Sequence, residues 1–188
     1  TGEPQWIRKM QLRHEADAIK SGARIVNCCG FDSIPSDLGV HFLQRNALKQ
    51  FGHTCERINM RVVSMKGGAS GGTIASMINM VKEAVCDADL RRELTDPYSL
   101  CPSDHSFSAA QPDVKIAYDN VYGGWIAPFV MAGINTRVVH RSNALTNNSY
   151  GVEFKYEEAV VTGEGSSGKR KAQATHWGVN ALMIGLAV

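Results

Sequence analysis

Apolar residues along this chain fall into two rhythms, one repeating every third or fourth position and one alternating or running together over a few residues. Trp6, Ile7, Met10 and Ala18-Ile19 follow Pro4 at helical spacing and predict a helix to about Lys20, with proline in its first turn and Gly22 as its stop. Residues 23–29, Ala-Arg-Ile-Val-Asn-Cys-Cys, form a short apolar run of the kind that becomes a strand buried in a parallel sheet. The turn-rich residues 30–37 then lead into Leu38 to Leu43, so residues 24–49 read strand, loop, helix.

Farther on, Ile58, Met60, Val62 and Met65 alternate well enough to predict a strand over 56–66 with one wet face. A glycine-rich loop, Gly67 to Gly72, ends at Thr73, a good N-cap, and Ile74, Met77, Ile78, Val81 and Val85 then recur at helical spacing. Asp96-Pro97 closes that helical region, residues 99–112 read as irregular, and Val114 to Tyr118 offer a strand. Gly123-Gly124-Trp125 is expected to introduce a helix with Pro128 in its first turn and an apolar stripe of Phe129, Val130, Ile134, Val138 and Leu145. Gly151 to Thr162 is the clearest strand, with Val152, Phe154, Tyr156 and Val160 on one face and Glu153, Lys155 and Glu157 on a wet one. A last helical run spans Trp177 to Val188 and is too short and too polar to be a membrane span.

These elements describe two environments. The buried run near Ile25 belongs to an α/β arrangement, and the alternating strands belong to an α+β arrangement in which helices cover one side of a mixed or antiparallel sheet. The expected division is 1–50 and 51–188. Both ends read as cut boundaries, since the chain opens on Thr1 and stops inside an apolar run.

Composition narrows the function classes. A net charge of +2 with basic residues spread along the chain gives no reason to expect a nucleic-acid partner, and Lys169-Arg170-Lys171 reads as a solvated loop and helix start after the Gly163 to Gly168 stretch. Five cysteines lack C-x-x-C spacing and lack histidines at zinc intervals, so neither a metal site nor a disulfide framework is expected and the cytoplasm is the natural compartment.

Gly68-Ala69-Ser70-Gly71-Gly72 satisfies G-x-S-x-G between a strand and a helix, which makes a serine hydrolase using Ser70 one reading. An α/β-hydrolase places several strands before its nucleophile, and only one buried run precedes this loop. The loop satisfies neither G-x-G-x-x-G nor the Walker pattern. It remains a turn whose backbone N–H groups open a helix, a suitable place for an oxyanion, so Ser70, Gly71, Gly72 and Thr73 are candidate substrate contacts. On the later helix, Arg137 and Arg141 share a face at i, i+4 beside Asn135, a pattern that clamps an anion or pairs with acids; Asn135 and Arg137 join the substrate-binding candidates. No residue declares itself as a catalytic acid or base.

Thr1-Gly2-Glu3 with Trp6, Cys29 through Gly39, Ser70-Gly71-Gly72-Thr73 with Ser76, Trp125 with Pro128-Phe129, Asn135-Thr136-Arg137, Arg141-Ser142-Asn143 and Tyr150-Gly151 occur in this order. In that order they resemble the saccharopine dehydrogenase-like oxidoreductases, including the branch described as trans-acting enoyl reductases. The resemblance implies a Rossmann-type domain upstream of Thr1 that binds NAD or NADP, none of which this chain is expected to bind alone. It implies that residues 24–36 are the last parallel strand and its loop, so that Gly30, Phe31, Asp32 and Ser33 meet the cofactor. Saccharopine reductases follow the matching aspartate with Pro-Gly. Here Ser33-Ile34-Pro35 stands instead, which favours a lipid-related small-molecule substrate over an amino acid. A homodimer is expected, and a non-catalytic dimerisation or scaffold domain is the alternative.

Overall fold

The computed structural model describes residues 2–65, 83, 84 and 87–185 of the 188. The predicted loop from Gly67 to Gly72 and the helix after Thr73 lie outside the described residues.

Helix α1 (Pro4–Ser21) starts on its proline and stops at Gly22, whose positive φ of 73° lets its N–H turn back to Ala18 O and Ile19 O. Only Pro4 and Ile7 of this helix are buried, Ile7 packing with Leu100 and Ile134. Residues 23–29 are not a strand in a sheet. They run without regular structure, Ile25 and Val26 are largely exposed, and Cys28 has a left-handed φ of 56°. Among the described residues no strand pairs with them, and an apolar run forms a buried strand only where a ladder partner exists.

Helix α2 (Ile34–Phe51) begins one turn earlier than Leu38, because Pro35 sits in its first turn where its missing N–H costs nothing. It buries the stripe Ser36, Val40, Gln44 and Ala47, and the Gln44 carboxamide clamps Cys55, donating to Cys55 O at 2.9 Å and accepting from Cys55 N at 2.7 Å. Strand β1 (Arg57–Val62) and helix α3 (Ala88–Thr95) follow. The Asp87 carboxylate caps α3 by accepting from Asp89 N and Leu90 N.

Strand β2 (Ala117–Asp119) is shorter than the run expected from Val114, and the segment 124–128 is a strand, β3 (Gly124–Pro128), rather than the start of a helix. Ile126 and Ala127 pair with Val161 and Val160, and Pro128 ends the strand, where a residue without an N–H interrupts no ladder. Helix α4 (Ala132–Leu145) begins only after that pairing ends. Strand β4 (Lys155–Gly163) pairs parallel with β1 and antiparallel with β3, giving a four-stranded mixed sheet in the order β1-β4-β3-β2.

Helix α5 (Gly165–Gly185) begins inside the glycine-serine stretch expected to be solvated loop. Gly163 and Gly165 take positive φ values, and a Cβ at Gly168 would stand 2.1 Å from Gly163 O, so glycines make the tight β4-to-α5 turn. α5 packs on β3 and β4, α4 packs on β4, and α2 packs on α4. The main core gathers Val40, Ile58, Val139, Tyr150, Phe154 and Tyr156.

Candidate functional site

Alternation along β4 sends Tyr156 and Glu158 toward α4 and Glu157 to the opposite face. Glu157 was expected to be wet, yet both glutamates are buried. Glu157 accepts from Arg57 and from Arg61, each at 2.6 Å, and Arg61 also reaches Asp119 at 2.6 Å. The Tyr122 amide, together with Arg61, holds the Asp119 carboxyl below its ordinary range. Burial of Glu157 is thus compensated by ion pairs.

On the other face, Glu158 accepts from Tyr156 Oη at 2.5 Å and from Asn135 Nδ2 at 3.0 Å. Burial and the adjoining Glu158 push the Tyr156 hydroxyl strongly up, so it stays a proton donor. Tyr156 Oη also lies 3.3 Å from Met60 Sδ, which accepts from Ser36 Oγ at 3.6 Å. A buried polar seam therefore runs from the first turn of α2 across the sheet to Asn135. Asn135 Oδ1 has no hydrogen-bond partner among the described residues.

Next to this seam, α4 forms one wall of a cavity of about 300 Å³, with Gly133, Thr136 and Arg137 on the helix, Pro128 and Phe129 at the end of β3, and Leu94–Pro97 and Gln111–Val114 opposite. Arg137 is buried. It donates through Nε to Ser99 Oγ at 3.0 Å, through Nη1 to Gly133 O at 2.6 Å and through Nη2 to Leu94 O at 2.5 Å. All three acceptors are neutral, and burial lowers the guanidinium's pKa while Asp96 and Glu93 oppose that shift from a distance. Arg137 is the one basic residue lining this cavity, against Asp113, Glu157 and Glu158 on the same lining, so the cavity is polar and of mixed charge.

Arg141 faces elsewhere, donating to Leu100 O at 2.6 Å and pairing with Glu15 at 3.4 Å. The two arginines at i, i+4 do not form one clamp. Gly30, Phe31 and Asp32 form an exposed loop at the start of α2, with Gly30 O accepting from Ser33 N and Ile34 N. Ser33 is buried as the N-cap residue. None of these four residues lines the Arg137 cavity. Ser70, Gly71, Gly72 and Thr73 lie outside the described residues.

Three residues were missed by sequence reasoning. Tyr156 was placed on the apolar face by alternation alone and Glu158 was given no face, although its position two residues after Tyr156 puts it on the same one. Asp37, in the first turn of α2, has its carboxyl pushed up by burial, with the Ser142 hydroxyl and His41 opposing. Among the described residues no three His, Cys, Asp or Glu side chains gather as a metal site, and no described helix is long and apolar enough to cross a membrane.

Over most of its length this chain is similar to trans-acting enoyl reductases. It is 42% identical over 170 aligned positions to a putative trans-acting enoyl reductase of Mycobacterium tuberculosis, covering 87% of this chain and 41% of that protein. It is 36% identical to the trans-acting enoyl reductase of Mycobacterium bovis, over 99% of this chain and 46% of the relative, and 37% identical to that of Mycobacterium ulcerans, over 87% and 41%. The chain thus spans less than half the length of these enoyl reductases. No protein-family model and no solved structure matches it.

Proposed function

We propose that this chain is the substrate-side portion of an oxidoreductase that uses NAD or NADP, acting on a lipid-related small molecule with an enoyl group. The observation that carries the reading is the similarity to enoyl reductases across nearly the whole chain. In this reading residues 1–50 close the edge of a Rossmann-type cofactor domain, consistent with the saccharopine dehydrogenase-like motifs, and residues 51–188 form the substrate domain. The exposed, unpaired apolar run around Ile25 and Val26 supports it, because such a run is suited to a ladder with strands outside this chain. Gly30, Phe31, Asp32 and Ser33 then face the cofactor, and Arg137 lines the substrate cavity two residues after Asn135, with Ser70, Gly71, Gly72 and Thr73 as further candidate substrate contacts.

The residues assigned to the cofactor do not make a dinucleotide site on their own. Gly30 has open space around it, but no glycine-rich turn follows a strand there; the G-x-G-x-x-G spacing that the chain does carry, Gly163-Glu164-Gly165-Ser166-Ser167-Gly168, makes the β4-to-α5 turn, where a Cβ at Gly168 would meet Gly163 O. When bound, a nicotinamide supplies the hydride; this chain supplies orientation and polarity. The full-length protein mixed with NADPH and an enoyl thioester should consume NADPH only when both are present, and no consumption would overturn the reading. Asp32→Ala in that protein should lower turnover by roughly tenfold or more, the scale of one or two charge-assisted hydrogen bonds. The 188-residue chain alone should leave NADPH fluorescence unchanged; micromolar binding would contradict the division of labour.

A second role is favoured by one observation, the exposed Leu38 and Phe42 along α2 with Phe31 exposed in the loop before it. It fits burial against the rest of the protein or in a homodimer, and sedimentation of the full-length protein distinguishes monomer from dimer.

A further inference from the structure

The walls of the Arg137 cavity are built unequally. On one side stand α4 and the sheet; on the other, Leu94, Thr95 and Pro97 belong to α3 and the turn that leaves it. α3 is lightly held. Leu90 is its one buried residue, and α1 is the element it packs against most. The turn after it is the opposite, with Tyr98, Ser99, Leu100 and Cys101 all buried and with Leu100 O and Cys101 O accepting from Arg141 and Arg8. Asp96-Pro97 joins the light part to the anchored part. Arg137 spans that joint, since its Nε holds Ser99 Oγ on the anchored side while its Nη2 holds Leu94 O on α3.

This closed arrangement carries unmet costs. Glu93, one residue before Leu94, has a buried Oε1 with no hydrogen-bond partner among the described residues, and burial pushes its carboxyl up against the opposing pull of Arg8 and Arg137. Arg137 is itself buried against neutral acceptors, with Glu93 near enough to feel its charge but not bonded to it. An unmet acceptor and a buried cation each favour a state in which water reaches them. We propose that α3 is a lid on this cavity, hinged at Asp96-Pro97 and latched by the contact of Arg137 with Leu94 O, which opens by a local motion to admit a ligand and closes over it. A latch of one hydrogen bond to a neutral carbonyl gains little against those costs, so the closed and open states lie close in free energy, as a gate requires. The role as a gate rests on the reading of this cavity as the substrate site; the motion itself does not.

Amide hydrogen exchange of the full-length protein, read by mass spectrometry, tests the lid without substrate or cofactor. The amides of α3 are expected to exchange about tenfold or more faster than those of β4, through local opening. Arg137→Met should speed α3 further by roughly tenfold, the scale of one hydrogen bond to a charged group, and leave β4 unchanged. Ser99→Ala, which frees the anchored end of the latch, should do the same in milder form and serves where Arg137→Met fails to fold. Glu93→Leu should act the other way and slow α3 by roughly fivefold, because it removes the buried carboxylate oxygen that favours opening. An arginine that merely capped the last carbonyls of α3 would give no such slowing. Exchange of α3 in step with β4, an Arg137→Met effect equal in both, or a Glu93→Leu variant that fails to slow α3 would each overturn the proposal. An absence of NADPH turnover in the same protein would overturn the oxidoreductase reading and leave the lid standing.

Discussion

Residues 23–51 and the sheet region from Ala117 to Gly163 are both rich in apolar residues, yet they use them in opposite ways. In the first, Ile25, Val26, Phe31, Leu38, Phe42 and Phe51 are exposed while the polar Ser33, Ser36 and Gln44 are buried. In the second, Ile126, Ala127, Phe154 and Tyr156 are buried together with Glu157 and Glu158. The difference lies in what surrounds each side chain, not in its hydropathy. A charge enters the sheet because Arg57, Arg61 or Asn135 is there to meet it, and a phenylalanine stays outside on α2 because no described element lies against it. Each large apolar side chain left in water forgoes about 1.5–3 kcal/mol of burial; the N-terminal region leaves such side chains along a whole helix face, whereas exposed ones of the sheet region such as Val121 and Leu145 sit in a turn and at a helix end.

The sharpest way to break this comparison is to remove a charge from the sheet. Glu157→Ala leaves the mostly buried Arg61 against Asp119 alone and Arg57 with only Asn59 Oδ1. Breaking a buried pair by deleting one partner costs about 3–5 kcal/mol, and the half-exposed Arg57 moderates that to about 3 kcal/mol here. Urea unfolding measures it. A loss below about 1 kcal/mol would mean that the network is surface decoration and that the two regions differ less than their burial implies.

A second, pH-dependent effect separates the regions through His140, which is buried between Tyr98, Phe107 and Phe154 with neither ring nitrogen hydrogen-bonded among the described residues. Burial lowers its pKa from 6.5 to about 4. The unfolded chain therefore takes up a proton before the folded one does, and stability falls as pH drops from about 6.5 toward 4. The drop approaches about 3 kcal/mol at 1.36 kcal/mol per pKa unit. His140→Phe should remove that part of the pH dependence; parallel stability curves for the two proteins would show that the histidine is not held neutral by the fold.

How much of this was legible beforehand follows the same line. Helices α1 and α2, strands β1 and β4 and the apolar contacts of Phe154 and Tyr156 follow from periodicity, because in each case a local pattern and its tertiary environment agree. The β3 strand was hidden because Pro128 marks a helix start and a strand end equally well, and only the distant register with Val160 and Val161 decides between them. Residues 23–29 looked like a buried strand because their composition is that of one, but a strand is completed by its neighbour. At the site, Asn135 and Arg137 stood out as polar residues on an apolar helix. Glu158 did not, because alternation puts it on the core face with Tyr156, where a glutamate makes sense only once Asn135 and the Tyr156 hydroxyl are placed around it. The arginine pair failed as a unit because i, i+4 spacing fixes proximity on the helix and not which neighbours lie beyond it.

The smallest effect tests the other side of the comparison. Phe42 is 70% exposed on α2, one turn beyond Leu38 and two turns beyond Ile34. Replacing it with Ser in the 188-residue chain removes little buried area and leaves the buried stripe of Val40, Gln44 and Ala47 intact, so stability should change by no more than about 0.5 kcal/mol. The same Phe42→Ser substitution in the full-length protein distinguishes two situations. If α2 is covered there, the change removes a packed aromatic side chain and should cost several times more, on the order of 3 kcal/mol for loss of a large apolar group from a core. If α2 is bare there too, the cost stays below about 0.5 kcal/mol in both proteins, and the exposed stripe is an ordinary surface rather than an unused interface. A loss of 2 kcal/mol or more in the 188-residue chain itself would contradict the comparison at its root, because it would mean that the exposed aromatic is already packed.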